Sequence, residues 1–208
     1  MYFNMSHAHE KLVEKGLKVP CYTVFRNICH RHKTVKHPYK KLKQKIRKIR
    51  NRCVARGIML QIDGSYHVWF GRFESCLITI IDDATGEILF GKFCSAETKD
   101  DCIDVIVNVL KTHGKFGILY ADKAGVYGGA KREGFAHVLT GLDELGITSI
   151  AANSAEAKGR IERQYRTLQD RLIPEMRTRG IIQPHQKPIH IFKMNTSLPL
   201  INSSQCNP

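Results

Sequence analysis

The spacing of apolar residues divides the chain into segments of different character. In residues 7–32 apolar side chains recur at helical spacing on either side of the break from Gly16 to Pro20, which predicts two short helices joined by a turn. From Ile58 to Gly180 short apolar runs alternate with amphipathic stretches, a pattern typical of a compact α/β domain. Residues 181–208 keep no period, and we expect them to be poorly ordered.

Five apolar runs in the α/β segment predict strands, and three amphipathic stretches predict helices. The predicted strands are residues 58–63, 76–81, 87–93, 116–121 and 147–152, and the predicted helices are residues 98–113, 132–145 and 153–174. The turn sequence DDATG makes a hairpin of the second and third strands. We expect Thr98 to cap the first of these helices, Gly114 to end it, and Pro174 to end the last one.

The N-terminal helices could form a helix-turn-helix hairpin, although the signal is weak because such a hairpin needs a third helix to bury its faces. The same region holds cysteines and histidines that could suggest zinc: Cys21, Cys29, His30, His32 and His37. These residues lack the close pairs of ligands found in structural zinc sites, so ordinary helix packing is the favoured interpretation.

Composition excludes a membrane-spanning or disulfide-built protein. No apolar run approaches the roughly 20 residues that a transmembrane helix needs. The seven cysteines are odd in number and scattered, and no signal peptide is recognisable. We therefore expect a reduced, cytoplasmic compartment.

Positive charge is concentrated in one part of the chain. Lysine and arginine total 33 against 19 acidic residues, a formal net charge of +14. Residues 15–62 hold 15 of those bases and no acid, so the rest of the chain, with 18 bases and 19 acids, is nearly neutral. A basic arm on a neutral domain favours a polyanionic partner, most commonly nucleic acid, and the alternative is a solvated charged surface.

The arm is densest in the sequence KKLKQKIRKIRNR, from Lys40 to Arg52. Leu42, Ile46 and Ile49 recur at helical spacing within it, so the segment could form a helix when bound. Its charges would follow phosphates without reading a base sequence. The candidate DNA-binding residues of the arm are Lys40, Lys41, Lys43, Lys45, Arg47, Lys48 and Arg50.

Three acidic residues stand out by position. Asp63 ends the first predicted strand, Asp122 follows the fourth, and Glu162 lies near the start of the last helix. If the first and fourth strands form a parallel pair, both aspartates emerge at the edge where open α/β sheets place their sites. Oxygen ligands of this kind suit Mg²⁺ or Mn²⁺, whereas each acid alone is more often structural.

Three local motifs surround these acids in order: QIDGSYHVWFG at Asp63, LYADKAGVYG at Asp122 and NSAEAKGRIERQYRTLQDRL at Glu162. Together they resemble the integrase-like DDE transposases of bacterial insertion sequences. Among these, the motifs are most similar to those of the ISNCY group. The resemblance covers roughly residues 7–180. The spacing also fits, since 58 residues separate the two aspartates and 39 separate Asp122 from Glu162.

The resemblance implies a ribonuclease H-like catalytic core with a mixed five-stranded sheet, as in retroviral integrases. It implies a transposase that cuts DNA ends and transfers a 3′-hydroxyl to a target strand, acting as a homo-oligomer on double-stranded DNA. Asp63, Asp122 and Glu162 would be the catalytic residues and would hold two Mg²⁺ or Mn²⁺ ions, with Asp63 bridging them. Lys158 and Arg166 lie four residues to either side of Glu162, so they share its helix face and could grip phosphates or pair with the glutamate.

Other residues of the motifs have competing interpretations. Asp82 and Asp83 could form a rival metal pair, but they more closely match a turn that shapes the hairpin. His67 and Trp69 could pack near the sheet edge or contact DNA. Ala121 and Ala124 stand where related sequences often carry polar residues, which changes the surroundings of the site and removes no ligand.

These observations divide the chain into a partial helix-turn-helix over 1–32, a basic arm over 33–56, the catalytic core over 57–180 and a tail over 181–208. Related sequences carry a further helix-turn-helix unit before the hairpin and continue beyond the last helix, so we expect a truncated copy. Two alternatives stay open: an inactive remnant that only binds DNA through residues 15–62, and a ribonuclease H-type nuclease acting on RNA–DNA hybrids.

Overall fold

The computed structural model describes residues 3–32, 51–71, 73–122, 132–152 and 159–181. Most of the predicted arm and the tail from residue 182 onwards lie outside the described residues, as does the predicted helix cap at 153–154. The division of the chain into arm, core and tail therefore stays a prediction.

Five strands form one mixed sheet, as expected. They are β1 (Met59–His67), β2 (Ser75–Asp82), β3 (Ile88–Cys94), β4 (Ile118–Asp122) and β5 (Thr148–Ala152), and their order in the sheet is β3-β2-β1-β4-β5. Strand β2 runs antiparallel to both β1 and β3, and β4 runs parallel to both β1 and β5. The predicted hairpin and the predicted parallel pairing of the first and fourth strands are both confirmed.

The helices follow the amphipathic stretches. They are α1 (Met5–Glu14), α2 (Tyr22–Arg31), α3 (Lys99–His113), α4 (Arg132–Glu144) and α5 (Gly159–Thr178). Thr98 caps α3, where its hydroxyl accepts a hydrogen bond from the Asp101 N–H, and the helix ends at Gly114, whose φ of 82° lies in a region that favours glycine.

Two predicted boundaries are wrong. The first strand continues beyond Asp63 to His67, because it pairs with β2 as far as His67 opposite Ser75. Helix α5 continues through Pro174 to Thr178. Residues 172–176 of this helix are all buried. The stabilisation from their burial exceeds the cost of the hydrogen bond that proline cannot donate.

Each face of the sheet carries its own apolar core. Alternate residues of the strands, Leu60, Ile62, Ile78 and Leu119 among them, pack with α3 and α4 on one face. On the other face Leu77, Ile81 and Phe93 pack with α5, which contributes the fully buried Ile161, Leu168 and Leu172. Helix α5 lies on the same face of the sheet as the side chain of Asp63, because Asp63 alternates with Leu60 and Ile62 of the opposite face.

The N-terminal hairpin is attached to the far end of α5. His7 and Glu175 are each 3% exposed, and His7 Nε2 lies 2.9 Å from Glu175 Oε1. Lys11 Nζ contacts the same carboxylate oxygen at 2.5 Å, and Arg171 pairs with Glu10 at 3.0 Å. The contact between hairpin and core is therefore made mainly by charged groups.

Within the described ranges, no helix is both long enough and apolar enough to cross a bilayer.

Candidate functional site

The parallel pair β1 and β4 brings two of the predicted acids to one level of the sheet. The pairing places Gln61 opposite Tyr120. This is the last pair between the two strands, and Asp63 and Asp122 each lie two residues further along. Because the strands are parallel, both aspartates follow the paired segment at the same edge of the sheet. The side chain of Asp122 lies outside the described residues.

Tyr165 fixes α5 to β1 at Asp63. Its hydroxyl donates a hydrogen bond to the main-chain carbonyl of Asp63 and accepts one from Thr79 Oγ1 at 2.9 Å. Burial raises the pKa of the Tyr165 phenol well above its ordinary range, and the nearby charge of Asp63 adds to this effect. The phenol therefore stays protonated and can act as a donor.

Glu162 lies in the first turn of α5, three residues before Tyr165, and its side chain is exposed. Residues three apart on a helix are neighbours on one side of it, so Glu162 lies on the flank of α5 that faces β1. Gln169, one turn beyond Tyr165, points the same way, since its Nε2 contacts Ser65 Oγ at 3.4 Å. The structure thus brings the backbone positions of Asp63, Asp122 and Glu162 to one region.

Arg166 lies one turn after Glu162 and is exposed to solvent. Lys158 and the arm residues 40–50 lie outside the described residues. Among the residues that are described, no three histidine, cysteine, aspartate or glutamate side chains assemble as a metal site. The predicted set of three carboxylates includes Asp122, whose side chain lies outside the described residues.

Asp82 shapes the hairpin turn, as the favoured interpretation expected, whereas the side chain of Asp83 binds groups outside the turn. Asp82 Oδ1 accepts hydrogen bonds from the Thr85 N–H and hydroxyl, at 2.8 and 2.9 Å, and Oδ2 accepts one from the Gly57 N–H at 2.8 Å. Asp83 is fully buried and accepts from the Cys53 N–H at 2.8 Å. Both carboxylates are thus occupied by protein groups.

Sequence reasoning missed the ion pair between Asp83 and Arg160. Arg160 Nη1 donates to Asp83 Oδ1 at 2.6 Å, and Gln61 Nε2 donates to the same oxygen at 2.6 Å. This pair fastens the first turn of α5, where Glu162 lies, to the end of β2. A signal was present, since Arg160 belongs to the KGRIER motif two residues before Glu162, but only the fold reveals its partner.

Trp69 packs in the core and does not reach the surface. Its side chain is fully buried, its ring lies 5.7 Å from that of Phe93, and its indole N–H donates to the Ser65 carbonyl at 3.0 Å. His67 packs edge-on against it at 5.4 Å. The DNA contact considered for Trp69 is therefore wrong, because its side chain is packed among the buried residues of α5.

Two curated proteins resemble this chain in sequence. The chain is 42% identical over 139 residues to "Putative transposase y4bF" of Sinorhizobium fredii, and 34% identical over 140 residues to the transposase for insertion sequence IS1202 of Streptococcus pneumoniae. Each match covers 64% of this chain and 30% of the relative, so the chain spans about a third of the length of these relatives. No protein-family model matches the chain.

The fold resembles that of retroviral integrases. The HTLV-2 integrase catalytic core domain, solved in complex with magnesium, superposes with a TM-score of 0.50 at 15% identity, covering 62% of this chain and 79% of that one. An intasome structure of simian T-cell lymphotropic virus superposes with a TM-score of 0.51 at 16% identity. This match covers 85% of this chain and 63% of the intasome chain. At such low identity the likeness establishes the ribonuclease H-like fold alone, and this confirms the expected fold class.

Proposed function

We propose that this chain, an integrase-fold homologue of insertion-sequence transposases, is the part of a DDE transposase that cuts DNA and transfers the resulting strand end. The observation that carries the proposal is the parallel pairing of β1 with β4, because Asp63 and Asp122 each lie two residues beyond its last pair. Tyr165 also binds α5, the helix that carries Glu162, to the main chain of Asp63. The sequence relatives named as transposases support the reaction class.

In this proposal Asp63, Asp122 and Glu162 are the metal ligands. The donor set fits a hard cation, because it consists of carboxylates with no thiol or imidazole among them, and the HTLV-2 neighbour was solved with magnesium. Bound Mg²⁺ or Mn²⁺ ions, two in the proposed site, supply charge stabilisation and activation of the attacking hydroxyl. Asp63 would bridge the two, and Asp122 and Glu162 would each complete one.

The residues around the carboxylates hold and orient them. Tyr165 keeps the backbone of Asp63 against α5, and the pair of Asp83 with Arg160 fixes the helix turn that carries Glu162. Arg166 and Lys158 on the Glu162 flank, together with the basic arm, would bind double-stranded DNA of the element ends and the target. Assembly as a homo-oligomer on DNA belongs to the same proposal.

A nicking assay on supercoiled plasmid with Mg²⁺ or Mn²⁺ tests the catalytic assignment. We expect Asp63→Asn and Glu162→Gln to abolish nicking while duplex binding in Ca²⁺ stays unchanged. Asp104→Asn is the matched control, because Asp104 is exposed on α3, on the other face of the sheet. Nicking by Asp63→Asn at the rate of the control would overturn the proposed site.

The same assay separates the alternatives. Duplex binding with no cleavage at any metal concentration would favour a remnant that only binds DNA. Faster cleavage of RNA–DNA hybrids than of duplex DNA would favour a ribonuclease H-type nuclease.

A further inference from the structure

A basic pocket opens on the flank of α5 that faces away from Glu162. It encloses about 210 Å³ between α5 and the turn that joins β2 to β3. Its lining residues are Arg52, Ile81, Gly86, Arg160, Arg163, Gln164 and Thr167. At 100° per residue, the lining residues of α5 fall on the opposite side of the helix from Glu162, Arg166 and Gln169.

Three guanidinium groups converge on this pocket, and its lining includes no acid. Arg52 Nη1 donates to the Ala84 carbonyl at 2.7 Å, and Arg163 Nε donates to the Gly159 carbonyl at 3.1 Å. Among the described residues neither has a carboxylate partner, whereas Arg160 is paired with Asp83. The pocket therefore keeps a positive charge of about two.

The turn lies against these groups, and Gly86 lines the pocket. Gly86 has a φ of 77°, a conformation that favours glycine, and a Cβ at this position would lie 3.6 Å from both Arg52 Nη1 and Gln164 Nε2. Gln164 Nε2 donates to the Gly86 carbonyl at 2.6 Å, which fixes the turn against the helix. The next acid along the turn, Glu87, is paired with Arg56 at 3.1 Å.

We propose that this pocket binds a backbone phosphate of duplex DNA. Guanidinium groups present forked donors that match phosphate oxygens. Arg52 is the last residue of the basic run 40–52, so the pocket continues the positive arm into the folded core, which favours a nucleic acid over a free phosphate. The inference rests on the proposed function and adds a second point of DNA contact to it.

The position of the pocket fixes what this contact does. It lies about one helix diameter, roughly 10 Å, from the Glu162 flank. The pocket therefore contacts the DNA backbone apart from the proposed carboxylates and takes no part in the cleavage step.

Duplex binding by the full chain, measured by fluorescence anisotropy without divalent metal over a range of salt, tests the pocket. We expect Arg163→Gln and Arg52→Gln each to weaken binding about 10-fold, as for loss of a charge-assisted hydrogen bond. The slope of log affinity against log salt should flatten by about 0.9, the value for one phosphate. The matched control is Lys111→Gln, an exposed cation on α3 on the other face of the sheet.

The double variant Arg52→Gln/Arg163→Gln decides whether one phosphate is shared. If both residues grip the same group, the slope flattens by about 0.9 in the double variant as well, and not by about 1.8. A doubled change would overturn a single phosphate site. So would an affinity and slope of Arg163→Gln equal to those of Lys111→Gln, or a loss confined to single-stranded RNA.

The outcomes also separate this inference from the proposed function. If the unchanged protein nicks plasmid and binds duplex while Arg163→Gln behaves as the control does, only the pocket inference fails. If the unchanged protein binds no duplex, both fail.

Discussion

The hydroxyl of Tyr165 donates a hydrogen bond to the main-chain carbonyl of Asp63. These residues lie 102 positions apart in the sequence, and their contact joins the helix that carries Glu162 to the strand that carries Asp63. Thr79 of β2 completes the arrangement by donating to the same phenol. The relative position of two proposed metal ligands therefore depends on one buried side chain that is not itself a ligand.

Tyr165→Phe should lower nicking activity and cost about 1–2 kcal/mol of stability, because it removes the hydrogen bond to the Asp63 carbonyl and takes this acceptor from the buried Thr79 hydroxyl. Urea denaturation and the plasmid assay measure the two effects. Tyr66→Phe is the control, since Tyr66 is 50% exposed and its hydroxyl accepts only the Glu97 N–H among the hydrogen bonds of the described residues. Equal losses in the two variants would contradict the role of Tyr165.

Asp83→Asn should lower the free energy of unfolding by about 3 kcal/mol, because it leaves the Arg160 guanidinium, 13% exposed, without its buried counter-charge. Asp104→Asn removes a carboxylate that is 59% exposed in its ion pair with Lys92, and it should cost under about 1 kcal/mol. Denaturant titrations of both variants check the difference. A cost for Asp83→Asn no larger than for Asp104→Asn would show that the pair does not hold α5.

The attachment of the N-terminal hairpin should weaken in acid. Burial by itself raises the pKa of the Glu175 carboxyl, but hydrogen bonds from Lys11 and His7 outweigh it and hold that pKa below its ordinary value of 4.5. Because the folded pKa is the lower one, the stabilisation is complete above about pH 4.5 and is lost as the pH falls through the folded pKa.

Glu175→Gln should therefore be less stable than the unchanged protein at pH 7, by about 2 kcal/mol, and the difference should shrink toward pH 3. Urea titrations across this range measure it. Glu14 also pairs with Lys11, but its side chain is 45% exposed. Glu14→Gln should therefore change stability by under about 1 kcal/mol. A difference for Glu175→Gln that does not depend on pH would contradict the assignment.

Two thiols of the sheet and α3 should resist alkylation. Contact with the Cys94 thiol, together with burial, raises the pKa of Cys76 well above its ordinary range, and burial raises the pKa of Cys102 to about 12. Both side chains are fully buried, whereas Cys21 is exposed. Iodoacetamide at pH 8, followed by peptide mass mapping, should label Cys21 and spare Cys76 and Cys102 until the protein is unfolded. Labelling of all three at one rate would mean that this core opens readily.

The basic arm should contribute to DNA binding through charge alone. Replacing Lys43, Lys45, Arg47 and Lys48 by alanine should weaken binding to all duplex sequences alike and flatten the salt slope by about 2–4 units. Glu162→Gln serves as the comparison, since it removes no phosphate contact and should leave the slope unchanged. An unaltered slope in the arm variant would favour the alternative of a solvated charged surface.

The sequence by itself determined the elements and the class of fold. Alternating and helical apolar periods reflect which residues can be buried together, and they located every strand and helix of the sheet domain to within a few residues, apart from the extension of β1 and the passage of α5 through Pro174. Both exceptions have one cause. Pairing with β2 stabilises the longer β1, and burial of residues 172–176 stabilises the longer α5. Both contacts come from segments distant in sequence and outweigh the local sequence preferences.

The candidate acids were recognisable from their motifs, but their proximity was decided only by tertiary structure. A parallel register sets the level of Asp63 against Asp122, and no local pattern encodes a register between strands so far apart. The sequence also did not reveal the partners of Asp83. Gln61 belongs to β1 and Arg160 to α5, and only the fold brings these two elements to Asp83. A buried carboxylate must accept hydrogen bonds, and the packing of the helix on the sheet determines which donors lie close enough to provide them.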